Sequence, residues 1–343
     1  MEYWSGTEDL DEAQEELFKA GVTDGLPVVP PTQARVTRML QRNAADGDEV
    51  VAIMPPSYEE ATWREIAINA VMAGCLPEYL PVVGAAVAAM SAPEFNLVGI
   101  ATTTGSAAPL VIVNGPAVAR VGLNGAGNAL GPGSRANACI GRAVSLVLRN
   151  VGGAQPGVFD MATLGQPAKY TCCFAENAAE SPWPPLHVER GFALDESVVT
   201  VVGIAGTVEI VDSVSHAACD LAQTFAQSML IAGSRGVGTL LGGGEPLIVV
   251  PPEIAQLFQR DGYTKAMVRQ AIFDRAELPL DRLSPPVHAR LVADLGMDIG
   301  AMRIATSAED VMIVVAGGVG IKSMYAPTWG GGTRAVSRRF RLP

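Results

Sequence analysis

Apolar positions recur along this chain at two spacings, the 3.6-residue period of an amphipathic helix and the two-residue period of a strand, with Gly and Pro between them. Residues 8 to 20 carry an acidic helical pattern that stops at Gly21, and DGLPVVPPT after it is too proline-rich to continue a helix. Thr32 is placed to cap a helix over 33 to 43. The pattern then predicts a strand at 49 to 54, helices at 58 to 73 and 77 to 90, strands at 96 to 102 and 109 to 113, and a short helix near 116 to 121. A long helix from Arg135 to Arg149 follows. Beyond a connector at 151 to 196 come a strand at 197 to 202, a helix at 216 to 229, a strand at 246 to 250 and a helix capped by Thr264. A Pro-punctuated helical link over 279 to 306, a strand within 311 to 320 and a basic tail close the chain.

Two stretches look alike. PLVIV at 109 to 113 matches PLIVV at 246 to 250, and each runs through a proline turn into a helix. EVVAIM at 49 to 54 pairs with SVVTVV at 197 to 202, and the helical run 75 to 90 with 216 to 229. A Gly/Thr loop precedes each PLxxV strand, Thr102 to Gly105 in one case and Gly236 to Gly244 in the other. The spacing is too long for a solenoid of ~20 to 50 residues per repeat. The expected fold is therefore α/β (α+β), internally duplicated, with two pseudo-symmetric halves of mixed sheet and helices. Its segments are an arm (1–48), a first half (49–150), a functional connector (151–196), a second half (197–306) and a closing strand, Gly-rich loop and tail (307–343).

Composition narrows the function. Charged residues make up 17% of the 343, below the ~25% of an ordinary globular chain, which suggests surface buried in a homo-oligomer. No apolar run approaches a membrane span and no signal peptide is visible, so a cytoplasmic protein without a membrane partner is expected. A net charge of -11 argues against nucleic acid, although a local Arg cluster can still hold a small anion. Five cysteines without a CxxC pair suit neither a disulfide framework nor a structural zinc.

Candidate chemistry falls in three places. NALGPGSRANACIGRA at 128 to 143 is a Gly-rich loop entering a helix N-terminus, where free N–H groups and the dipole favour an anion. Asn128, Gly133, Ser134, Arg135 and Asn137, with Asn114 nearby, are its candidate binding groups for a carboxylate or phosphate; the same glycines also fit a loop that only closes tightly. Within the connector, Cys172, Cys173, Glu176, Glu180, His187 and Arg190 place a thiol, a base and carboxylates within nineteen residues. Cys173 activated by His187 or Arg190, with Glu176 or Glu180 as acid or base, is one reading. Buried packing residues and a Cys/His/Glu metal site are the others, and no metal is assigned. Lys322 and Ser323 follow the glycines of AGGVGIKS as further binding candidates. His216 and Cys219 suit a core helix, His288 suits solvent, and Arg334, Arg338, Arg339 and Arg341 suit a solvated tail or pairing with acidic surface. No motif calls for a nicotinamide, flavin or pyridoxal cofactor.

AGCLPEYLPVVGAAV (73–87), PLVIVNGP (109–116), NALGPGSRANACIGRA (128–143), YTCCFAENAAESPWPPLHVERGF (170–192) and AEDVMIVVAGGVGIKS (308–323) together resemble an uncharacterised bacterial family. Its members are encoded near small proteins with a Sec/Cys-Gly-Ser-Cys (UGSC-type) motif. The resemblance implies small-molecule enzymes with thiol or selenol chemistry, some working with a small partner subunit. It also favours Cys173 over Cys172 as the nucleophile, and it notes that 234 to 240 lacks a His-containing stretch. The expected activity is a thiol-dependent lyase or hydrolase acting on a small anionic metabolite. The alternatives are a non-catalytic ligand-binding or scaffold subunit of a two-component enzyme, and a metalloenzyme.

Overall fold

The computed structural model describes residues 2–230 and 244–343, and in it the chain is an α+β protein. In chain order the first elements are α1 (Leu10–Lys19), α2 (Gln33–Arg42), β1 (Val50–Met54), β2 (Glu59–Thr62), α3 (Trp63–Met72), α4 (Leu80–Met90) and α5 (Leu97–Thr102). β3 (Ala108–Asn114), α6 (Ala117–Val121), α7 (Arg135–Asn150), β4 (Cys173–Ala175), α8 (Leu186–Glu189), β5 (Ser197–Ile204), β6 (Val208–Ile210) and α9 (Ala218–Met229) follow. β7 (Leu247–Val250), α10 (Pro252–Arg260), α11 (Lys265–Arg275), β8 (Glu277–Pro279), α12 (Pro285–Leu295), β9 (Ala301–Arg303), β10 (Met312–Val315), β11 (Ser323–Ala326) and β12 (Val336–Phe340) complete the chain.

The residues gather into two compact units, one of 1–175, 187–202 and 335–343, the other of 176–186 and 203–334. In the first, a four-stranded sheet runs β12-β5-β3-β4, with β3 and β4 parallel and β12 antiparallel to β5. Every residue of β3 is buried, as expected of a central strand covered on both faces. α4 is wholly apolar and α3 mostly so, both lie in the core, and Gly84 lets the Trp63 ring approach: a Cβ there would sit 2.3 Å from it. Each fully buried Ile, Leu or Phe, such as Ile66, Leu80 and Phe95, contributes about 1.5–3 kcal/mol. The second unit has a sheet of order β10-β7-β11-β6 and a core centred on Phe258, whose ring lies 6.1 Å from Phe225 and 6.4 Å from Trp183. Among the described residues no single helix is long and apolar enough to cross a membrane.

Several local expectations change. Residues 59 to 62 form a strand against β1 rather than a helical turn, and the helix starts only where Thr62 and Glu65 close a capping box. Residues 97 to 102 are helical, not extended: Asn96 takes a left-handed conformation and its side chain caps Gly99 N–H. Thr32 stands at the start of α2 but its side chain makes no cap bond. Of the two readings of the closing residues, pairing with acidic groups holds for Arg339, which meets Glu196 at 3.2 Å, and the tail itself is a strand, β12, against β5. Arg334 is ion-paired with Asp310. His216 and Cys219 are exposed rather than in the core.

A duplication of whole halves is not shown. PLVIV and PLIVV both give strands with a parallel neighbour, but β1 lies in a separate two-stranded sheet whereas β5 lies inside a four-stranded one. The 49–54 and 197–202 runs are alike in apolar content and different in surroundings. Of the two Gly/Thr loops, Gly236 to Gly243 lies outside the described residues, as does the 234 to 240 stretch.

Candidate functional site

The Gly-rich loop before α7 is held by its own side chains. Ser134 caps the helix, accepting from Asn137 N–H at 3.2 Å and donating to Asn137 Oδ1 at 3.0 Å. Asn137, buried, also accepts from Asn124 N–H and donates to the carbonyls of Asn124 and Ala129 at 2.8 and 2.9 Å. Asn128, at positive φ, donates to Pro132 O at 2.6 Å, and Gly133 has a φ of 122°. Arg135 turns its guanidinium onto Gly74 O, with Nη2 at 2.8 Å. Asn114 is buried at the end of β3. Asn128, Ser134 and Asn137 therefore build the loop, and the presence of Arg135 in the first turn is explained by a carbonyl rather than by a bound anion.

α7 and the cysteine pair do come together. Thr171 Oγ1 donates to Ala138 O at 2.8 Å, and Gly141 passes so near Cys172 that a Cβ would lie 2.7 Å from its backbone nitrogen. The contact is backbone packing, and the thiols are in the core. Cys172 is 8% and Cys173 3% exposed; burial pushes Cys172 up to about 12, and burial with the neighbouring Cys172 pushes Cys173 higher. His187, 1% exposed, faces the 193 to 196 turn, with Nε2 3.4 Å from Leu194 O, and burial lowers its pKa. Arg190 Nη2 donates to Ala335 O at 2.6 Å. In the other unit, buried Glu176 accepts from Leu186 N–H at 2.7 Å, Glu180 is exposed, Lys322 lies 3.9 Å from Glu209 and Ser323 is buried. The expected catalytic set is thus divided between two units, and among the described residues no three His, Cys, Asp or Glu side chains converge as a metal ion would require.

The first unit holds a cleft of about 640 Å³, within the ~300–1,000 Å³ of small-molecule sites. It is lined by Ser145 and Arg149 of α7, by apolar residues including Ile100, Ala107 and Pro109, and by residues of the strap 154–170, the first half of the connector. The strap is tied down by Thr163 N–H to Thr104 O at 2.9 Å, by Gln166 to Ser106 O and by the Lys169–Asp160 ion pair at 2.6 Å. Asp24 also lines the cleft and is held bidentately by Arg142 at 2.7 and 2.8 Å. Both carboxylates of the lining are therefore neutralised by a protein cation. Arg149 is not: among the described residues its hydrogen bond is Nη2 to Gly21 O at 3.2 Å, its shielded Nε has no partner, and it meets no carboxylate.

The cleft was missed in the sequence because its one free charge ends a helix and its strap has no motif. The signal was faint: a long ordered connector is usually functional. Compared with protein-family models, with curated proteins and with solved structures, the chain matches none. The chain is thus an α+β protein whose first unit carries a cleft in which, among the described residues, Arg149 has no carboxylate partner.

Proposed function

We propose that the protein is a ligand-binding subunit whose first unit takes a small organic anion into the 154–170 cleft, with Arg149 as its anchor. The observation behind this reading is Arg149 itself. In a chain with 35 acidic against 24 basic residues, a half-buried guanidinium in a cleft whose two carboxylates, Asp24 and Asp160, are each paired with another cation is out of keeping with its surroundings. The helix dipole favours a cation in the last turn of α7, but it does not supply the missing hydrogen-bond partner. The thiol-dependent reading needs a thiolate at Cys173, and burial opposes one. All five cysteines are free, the state that a reducing cytoplasm maintains, and cytoplasmic work with a partner enzyme suits a binding subunit.

A thermal-shift screen of organic anions against the wild type and Arg149→Gln tests the proposal. A ligand at about 100 times its Kd stabilises by about 2.7 kcal/mol. Loss of a charged hydrogen bond worth about 1.5–3 kcal/mol should weaken that binding roughly 10- to 150-fold in the variant. A ligand that stabilises both proteins equally would remove Arg149 from the site and sink the reading.

A further inference from the structure

Resting on that reading, we infer that the anion is a monocarboxylate with an extended apolar body, not a phosphate. The charge argument comes first. Arg149 lies in the last turn of α7, where the unpaired carbonyl ends of the helix carry partial negative charge. A phosphate dianion placed there meets one guanidinium and the wrong end of a dipole, while Lys169 is already neutralised by Asp160. A single negative charge matches a single guanidinium, and a planar carboxylate fits its fork.

The second argument is what surrounds the charge. Most of the lining is apolar. Of its side chains, Leu164 at 96% exposed stands nearly bare and Tyr170 at 48% is half-exposed, on a strap that is otherwise hydrogen-bonded in place. Singly exposed apolar residues are ordinary. These two line the same cleft as Ile100 and Pro109, so an apolar ligand body there would cover them together.

The test is a chain-length series measured by calorimetry on the full protein: acetate, butyrate, hexanoate and octanoate, with octanamide and inorganic phosphate as controls. Affinity should rise roughly two- to fourfold per methylene, the upper figure being full burial of a CH₂. Octanamide should bind at least tenfold more weakly than octanoate, and phosphate should not compete. Leu164→Ser removes a side chain with almost nothing packed on it; it should leave acetate unchanged and weaken octanoate at least fivefold. Flat affinity along the series, competition by phosphate or an unaffected Leu164→Ser would overturn the apolar-body inference while leaving an anion site at Arg149 intact. Octanoate binding that survives Arg149→Gln would overturn the anion reading itself.

Discussion

Replacing Arg142 by Met removes the guanidinium that neutralises Asp24 beneath the cleft. The pair is bidentate, its side chains are 15% and 13% exposed, and Arg142 also donates to Leu26 O and Pro27 O at 3.2 and 2.9 Å. Removing one partner of a buried pair costs about 3–5 kcal/mol, because the other charge stays behind. Here the abandoned carboxylate borders an open cleft and regains some water, which brings the figure to the lower end, about 3 kcal/mol. For a domain of ~150–250 residues that corresponds to a fall of roughly 6–12 °C in Tm. Calorimetry and far-UV circular dichroism, followed through the transition of the first unit, give the shift. Asp24→Asn and the double variant complete a cycle whose coupling should exceed about 1 kcal/mol. A Tm within about 2 °C of the wild type, or additive single variants, would show that the pair is not what fixes the 21–27 segment on α7.

Two further predictions concern the thiols and His187. Iodoacetamide should label native Cys219 readily and half-exposed Cys139 slowly, and reach Cys75, Cys172 and Cys173 only on unfolding; rapid native labelling of Cys173 would contradict its burial. Because burial lowers the His187 pKa, the fold favours the neutral ring. Its contribution is complete above the unfolded value near 6.5 and declines as pH falls from there through the folded value. Urea midpoints between pH 7.5 and 5.5 should therefore fall more steeply for the wild type than for His187→Gln, and equal slopes would refute this.

The long helices were legible because their period and caps are local. Ser134 and Thr264 stand where the caps form, and α7 keeps an apolar face through sixteen residues. The short elements were not. EEAT at 59 to 62 has no strand signature of its own and becomes one because β1 lies beside it. LVGIAT is a short apolar run that either period fits, decided by the Asn96 cap. VSRRF reads as a basic tail until it meets β5, a partner more than a hundred residues earlier. At the site, the connector drew notice for its cysteines, which are packing residues. The strap before them lines a cleft with Arg149, whose want of a carboxylate partner among the described residues shows only when its neighbours are in place.

The first sheet finishes with β12 on the outer edge of β5, although nearly all the second unit lies between them in the chain. Synthesis is vectorial, so this has a cost in time. At ~5–20 residues per second the edge of β5 emerges from the ribosome roughly seven to twenty-six seconds before the strand that covers it. During that interval the nascent chain presents a row of unpaired N–H and C=O groups, the usual template for mispairing between chains. A truncation before Val336 would make that exposure permanent, stripping an edge from the first unit by cutting at the far end of the second.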